Sequence, residues 1–486
     1  MNVVIPNFYA VYPEIFLLEM VCVVMLVDVF LNKYFEKLTY ITSQIALVGT
    51  FFLLVTQYHF FSGNITTFSG QYVLDRLALL TKFFVVFTTV FAFIYARQYL
   101  KMRRIMGNEY YILGLLSVLG MMVMSSAASL LAIYLGLELL SLALYAMIAL
   151  DKNSHFATEA AMKYFVMGAM ASGLLLYGIS LIYGATGAID ISGIAQQLQH
   201  ASTGATSLSI LGMIFLLAGL LFKFGAVPFH MWVPDVYEGA PTCMTLFIAC
   251  APKIATFSIA MRILAGAMPE ATTHWQAILV VIAMLSMFSG NVLAIAQTSF
   301  KRLLAYSSIA HMGYMLLGLI AGPNSSLGYS AAMFYIVTYV LVAAGAFAVI
   351  ALLAKQGAEF DHLNDLRGLN ARHPWLAFMM LLLMFSMAGV PPTVGFFAKL
   401  GLLEALVQAH YVWLAAFALL FAIIGAYYYL RVVMLMYFEE PTHIAASREI
   451  KLPRGALIAI SLNGFAALAL GLLPSALIDL CRVTLA

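Results

Sequence analysis

Apolar runs of about twenty residues, the length needed to cross a bilayer as a helix, recur along almost the whole chain. They fall at 13–31, 39–58, 76–96, 109–124, 126–149, 159–184 and 207–238, then at 241–264, 275–297, 303–321, 327–354, 375–408, 411–437 and 455–477. Fourteen spans are therefore expected, joined by short polar loops. Two runs, 207–238 and 375–408, are too long for one straight span. Each holds proline, Pro228 in the first and Pro391-Pro392 in the second. Proline removes a helical hydrogen bond, so both runs are read as discontinuous helices.

Composition agrees: 64% of the 486 residues are hydrophobic and only 9% are charged, against roughly 25% charged in a soluble domain. The expected fold class is an all-α polytopic membrane protein without a large soluble domain. No cleavable leader is expected, because the first apolar run reads on as a span. The net charge of +3 gives no reason to expect a nucleic-acid partner. Cys22, Cys243, Cys250 and Cys481 are scattered without a CxxC pair, which argues against an iron–sulfur, zinc or disulfide framework.

Lysines and arginines set the orientation. Alternate loops carry Lys33, Lys37, Arg97, Lys101, Arg103, Arg104, Lys152, Lys301, Arg302, Lys355, Arg367, Arg372, Arg431, Arg448, Lys451 and Arg454; the opposite loops carry Arg76 and Arg482. Sixteen against two puts both termini on the outer side. Lys82 and Arg262 lie near expected span ends, where long side chains snorkel.

Leu220–Pro228 (LLFKFGAVP) and Leu383–Pro391 (LMFSMAGVP) align at an offset of 163. Spans four to eight and nine to thirteen then form two five-helix units, inverted because each has an odd number of spans. Inverted repeats with broken helices are a transporter pattern. The expected divisions are 1–106, a three-helix segment; 107–265 and 273–440, the two units; and 441–486, the last helix.

Ionisable groups remain inside the spans, where a charge costs several kcal/mol unless paired or hydrated. Glu138 is mid-span, and Gly136 and Ser141 beside it permit close helix packing. Lys163 is its expected partner, the alternative being a lysine that snorkels from near a helix start. Lys223 stands five residues before Pro228, and His230 follows, either a proton relay or a hydrogen-bonded core residue. Lys253 and His311 are further deep groups. Lys399 follows the second break, with Glu404 either its companion or a surface residue. Ser386 aligns with Lys223 at the repeat offset. Carboxylate and histidine alternating with lysine favours proton movement over anion binding. Tyr427-Tyr428-Tyr429 reads as packing, and the methionines as bundle filler.

These residues carry a resemblance. GAVPFHMWVPDVYEGAP (225–241), KRLLAYSSIAHMGY (301–314) and GLELLSL (136–142) resemble the antiporter-like subunits of respiratory complex I, which share a core with Mrp-type antiporters. VPDVYEG, Lys253 and a lysine at 399 are similar to the N-type branch. The L-type branch continues into a further span and a lateral helix, and the M-type branch has glutamate where Lys399 stands. The resemblance covers essentially the whole chain. It implies a proton-translocating subunit of NADH–quinone oxidoreductase in the bacterial inner membrane, both termini periplasmic. The implied proton-transfer residues are Glu138, Lys163, Lys223, His230, Lys253, His311 and Lys399. No cofactor on this chain is implied; FMN, iron–sulfur clusters and quinone belong to other subunits. The implied partners are subunit M, small subunits such as K and J, and lipids. Ala251-Pro252 before Lys253 departs from the family's serine or threonine surroundings. The rival readings are an Mrp-type cation/proton antiporter subunit and a purely structural membrane-arm subunit.

Overall fold

The computed structural model describes residues 6–31, 37–103, 105, 108–199, 202–354, 359–440 and 454–485. Among the expected loop cations, Lys33, Arg104, Lys355, Arg448 and Lys451 lie outside the described residues, as does the start of the expected last division. The chain is an all-α bundle. Among the described residues, twelve helices are long and apolar enough to cross a membrane. The other two expected spans miss that standard for separate reasons. Tyr12–Leu31 carries three acids, Glu14, Glu19 and Asp28. The run at 375–408 is split into Pro374–Ala388 and Val394–Gln408, each too short alone. The last run ends earlier than expected, at Leu472, and a separate helix Ser475–Leu485 follows.

Burial sorts the helices. Every residue of Thr242–Met261 is buried, and Phe300–Ala321 and Gly328–Leu353 are nearly so. A helix that is apolar all round needs such a position. These three form the hub, and they carry Lys253, His311, Tyr335 and Tyr339. Tyr12–Leu31 and Leu38–His59 lie at the rim, with many large apolar side chains exposed.

Both discontinuous helices are present. Thr203–Phe224 stops at Gly225, and Trp232–Gly239 resumes after a turn. Pro374–Ala388 stops at Gly389, and Val394–Gln408 follows. The stopping glycines have φ of 74° and 86°, a left-handed conformation that costs other residues about 1–2 kcal/mol. Their capping bonds match: Ala226 N–H donates to Leu221 O and Gly225 N–H to Phe222 O, as Val390 N–H does to Phe385 O and Gly389 N–H to Ser386 O. This corrects the register by one residue. The geometric offset is 164, so Met387, not Ser386, occupies the place of Lys223.

One non-helical element is present that the all-helical expectation omits. Ile65–Thr67 pairs antiparallel with Tyr72–Leu74 around a turn in which Phe68, Ser69 and Gly70 all have positive φ. Val73 N–H donates to Ser126 O and Ala128 N–H to Gln71 O. The hairpin is thereby fastened to the end of Asn108–Ser125. It is too short to leave a period in the sequence.

Candidate functional site

Glu138 sits on Leu130–Ile148, which Ser129 caps by accepting from Ala132 N–H. This helix packs backbone to backbone against Asn108–Ser125: a Cβ on Gly120 would lie 2.7 Å from Gly136 O, and one on Gly136 would lie 2.8 Å from Met124 N. Close contact fixes the face that carries Glu138 and Ser141. Glu138 Oε1 is buried without a hydrogen-bond partner among the described residues. Lys223 Nζ donates to Ser141 Oγ at 2.7 Å, and the ammonium lies 5.8 Å from the Tyr145 ring centroid. Glu138 is the carboxylate whose charge acts on Lys223. Lys223 also occupies the last turn of its half-helix, where the orphan carbonyls favour a cation.

The expected Glu138–Lys163 pair is not present. Lys163 Nζ instead meets Glu159 Oε1 at 2.9 Å and Asp235 Oδ2 at 2.8 Å, with 42% of its side chain exposed. It is two turns into a helix that begins at His155, so it stands near the bundle end and a carboxylate four residues earlier is within reach. Asp235 Oδ1 also meets Arg302 at 3.2 Å, and Arg302 meets Glu238 at 2.8 Å. This chain of charges stands between two cavities. One, of about 660 Å³, is lined by charged groups including Arg103, Glu359 and Asp361. The other, of about 670 Å³, contains half-buried His230 and Tyr306. Lys163 and His230 thus belong to a mouth, not to the interior. Asp361, in the loop at this mouth, is held above the ordinary carboxylate range by burial, an effect the Lys301 charge opposes.

The second cluster lies in the hub. Lys253 Nζ donates to Ser308 Oγ and, at 3.3 Å, to Tyr339 OH. These hydroxyls solvate the ammonium despite Ala251-Pro252, whose proline cannot donate to the Ile248 carbonyl. His311 Nδ1 is 2.7 Å from Tyr335 OH and its Nε2 is 2.9 Å from Tyr429 OH, which also bonds Ser307. The charges of Lys399 and Lys253 both act on His311. Lys399 Nζ reaches back across the second break and donates to Met387 O at 3.0 Å and Ala388 O at 2.9 Å. A void of about 20 Å³ lies between His311, Tyr335, Tyr339, Ser386 and Lys399, room for about one water. Glu404 is exposed and touches none of this.

Lys223 and Lys399 therefore hold the same electrostatic position. Lys223 stands in the last turn of the first half-helix of its break, and Lys399, on the second half-helix of the other, returns its ammonium to the carbonyls that end the half before it.

Two cations do not snorkel as expected. Lys82 is fully buried, bonded to Tyr72 OH at 2.7 Å and paired with Glu14. Glu14 lies 68 residues earlier, so no local spacing announces the pair. Arg262 forms a bidentate pair with Asp75 at 3.0 and 2.9 Å and donates to Ser125 O. The lysine and histidine partners that the sequence reading did not assign are hydroxyls: Ser141, Ser308, Tyr335, Tyr339 and Tyr429. Tyr429 lies in the run read as packing. Their one signal is position, on helices that also carry Glu138 or His311 or that pack against the helix that does.

Comparison with known proteins places the chain in a family. Residues 127–425 match the family described as NADH:quinone oxidoreductase/Mrp antiporter, TM. A relative from Coxiella burnetii, named NADH-quinone oxidoreductase subunit N, is 50% identical over 477 residues, covering 97% of each chain. A chain of respiratory complex I from Thermus thermophilus is 32% identical with a TM-score of 0.81, covering 97% of this chain and 99% of that one. A chain of the Mrp complex from Dietzia sp. shares the fold at a TM-score of 0.85 and 20% identity, covering 98% and 97%.

Proposed function

The chain belongs to the NADH:quinone oxidoreductase/Mrp antiporter family, and from that premise we propose that it is a membrane-arm subunit of NADH–quinone oxidoreductase that conducts protons. The observation that carries the reading is the pair of ammonium groups at the two helix breaks, with Lys253 and His311 held between them by hydroxyls. An ammonium donates three bonds, a neutral imidazole donates at one nitrogen and accepts at the other, and a hydroxyl does both. Such a series can pass a proton without moving its backbone.

In this reading protons enter at the mouth where Lys163, Asp235 and Arg302 meet, with His230 behind them. They reach Lys223, with Glu138, on the helix that supplies Ser141, as the carboxylate that favours its charged form. Lys253 links the two halves, and His311 with Lys399 forms the outlet. Spans four to eight and nine to thirteen are then two inverted units, and the fourteen-span count puts both termini on the periplasmic side of the inner membrane. The redox chemistry on FMN, iron–sulfur clusters and quinone belongs to partner subunits. Subunits M, K and J are the neighbours that the proposal implies. The class is translocase.

The test is made on the assembled complex in vesicles. Lys223→Met is expected to lower quinone-linked turnover and proton pumping together while assembly persists. Glu138→Gln is expected to lower turnover to a lesser extent. Unchanged pumping in Lys223→Met would favour the structural reading. Isolation of the chain without NADH-oxidising partners, together with cation-for-proton exchange, would favour the Mrp-type reading.

A further inference from the structure

Outside the lysine series, three cations converge without a carboxylate partner among the described residues. Leu38–His59 and Arg76–Arg103 meet the start of Asn108–Ser125 around a cavity of about 200 Å³. Lys37, Arg97 and Lys101 line it, and among the described residues none of the three has a carboxylate within ion-pair distance. The Arg97 guanidinium carbon stands 4.4 Å from the Tyr40 ring centroid. A cation–π contact holds the guanidinium in place without consuming its N–H donors. Asp28, which is not among the lining residues, accepts from Thr39 Oγ1 at 3.0 Å and from Asn108 Nδ2 at 2.8 Å. Asn108 itself lines the cavity.

Below this cluster the same helix turns apolar. Ile41, Ile45, Val48 and Phe52 are exposed and follow Lys37 at helical spacing, so one stripe runs from the cations along the span. The whole surface therefore pairs an anion-binding head with an apolar track. An anionic peptide would match the head but not the track; a free anion would need neither track nor bilayer depth.

We propose that this cavity binds the phosphate headgroup of an anionic phospholipid, with an acyl chain lying along Ile41–Phe52. Arg97 supplies the planar two-donor contact to a phosphate, and Lys37 and Lys101 supply flanking charge. A basic pocket between spans on the lysine-rich side is where such headgroups are attracted. The site lies outside the lysine series, so it can fail without touching the proton-conduction proposal.

The assembled complex tests this in nanodiscs of phosphatidylcholine with rising fractions of phosphatidylglycerol. Acetylation of Lys37 and Lys101 is read by mass spectrometry, with exposed Lys152 as an internal control. Phosphatidylglycerol is expected to protect Lys37 and Lys101 but not Lys152. Arg97→Gln keeps both reporter lysines and should raise the half-protecting lipid fraction about fivefold, the worth of one cation near such a surface. Arg97→Lys keeps the charge without the fork and should fall between, which separates a bound headgroup from diffuse attraction. Protection insensitive to Arg97 would overturn the site. Equal protection in pure phosphatidylcholine would mean that a protein neighbour covers it, and equal protection by inorganic phosphate would mean a free-anion site; either refutes the proposal. No protection in any lipid also refutes it.

Discussion

His311 offers the sharpest test of the hub, because each ring nitrogen has a single hydroxyl partner. Tyr429→Phe removes the partner of Nε2, 2.9 Å away, and leaves that nitrogen buried among apolar side chains. Proton passage through the ring requires a moment at which both nitrogens are donors. A hydrogen bond to a charged group is worth about 1.5–3 kcal/mol. Losing it raises that moment's energy by the same amount, which slows the step by about 10- to 150-fold. Tyr335→Phe, which removes the 2.7 Å partner of Nδ1, should act with similar force. Tyr110→Phe is the control: it is equally buried, but its hydroxyl donates to Cys243 O at 3.4 Å and bonds neither the histidine nor its partners. Quinone-linked NADH oxidation and dye-detected acidification are measured on the same vesicles. Tyr429→Phe and Tyr335→Phe should depress both by tenfold or more if this step limits turnover, and Tyr110→Phe should leave both within about twofold, the scale of an ordinary neutral bond. Equal effects of all three variants, or no effect of any, would show that His311 only packs the hub.

Three further outcomes are expected. Asp235→Asn breaks two partly exposed pairs, each worth about 0–1 kcal/mol; the complex should melt almost normally, turnover should fall about twofold, and added salt should shrink the difference from wild type. Gly225→Ala forces a Cβ to 2.5 Å from Val233 Cγ2 at φ 74°, so thermal inactivation should come earlier by at least about 1–2 kcal/mol of stability, whereas Gly204→Ala, in open space, should be silent. Asp190 accepts from Gly193 N–H at 2.7 Å and Ser192 Oγ at 3.0 Å, and these bonds hold its carboxyl below the ordinary range. A lowered value means that the contribution is present above the ordinary carboxylate range and fades as pH falls through the lowered one. Asp190→Ala should therefore speed hydrogen exchange in Ile191–Gln199 at neutral pH by about 1 kcal/mol, with the difference from wild type vanishing in acid.

What the sequence makes legible depends on how local its cause is. Spans, breaks and deep lysines follow from runs of apolar residues and from proline, so Lys223, Lys253, His311 and Lys399 were nameable without coordinates. Partners were not, because a bundle brings together residues far apart in the chain. Lys163 illustrates the limit: the expected partner was Glu138, whereas Glu159, four residues earlier, was the local sign of its real setting. Lys82 shows the converse, since burial beside Glu14 leaves no spacing to read. Hydroxyls escape for another reason. A tyrosine in a span has the same apolar body whether its oxygen packs or relays, and only a neighbour such as His311 distinguishes the two.

The reach of Lys399 across its break has a consequence for how charge and shape are coupled. Two of its three donors are engaged by Met387 O and Ala388 O. A neutral amine still has two N–H groups, the number those carbonyls take. The third hydrogen is therefore the one that can leave, and its departure need not uncap the helix end. If Lys399 carries a proton as proposed, it works as a one-proton valve with a stationary seat, able to empty and refill while the break keeps its form.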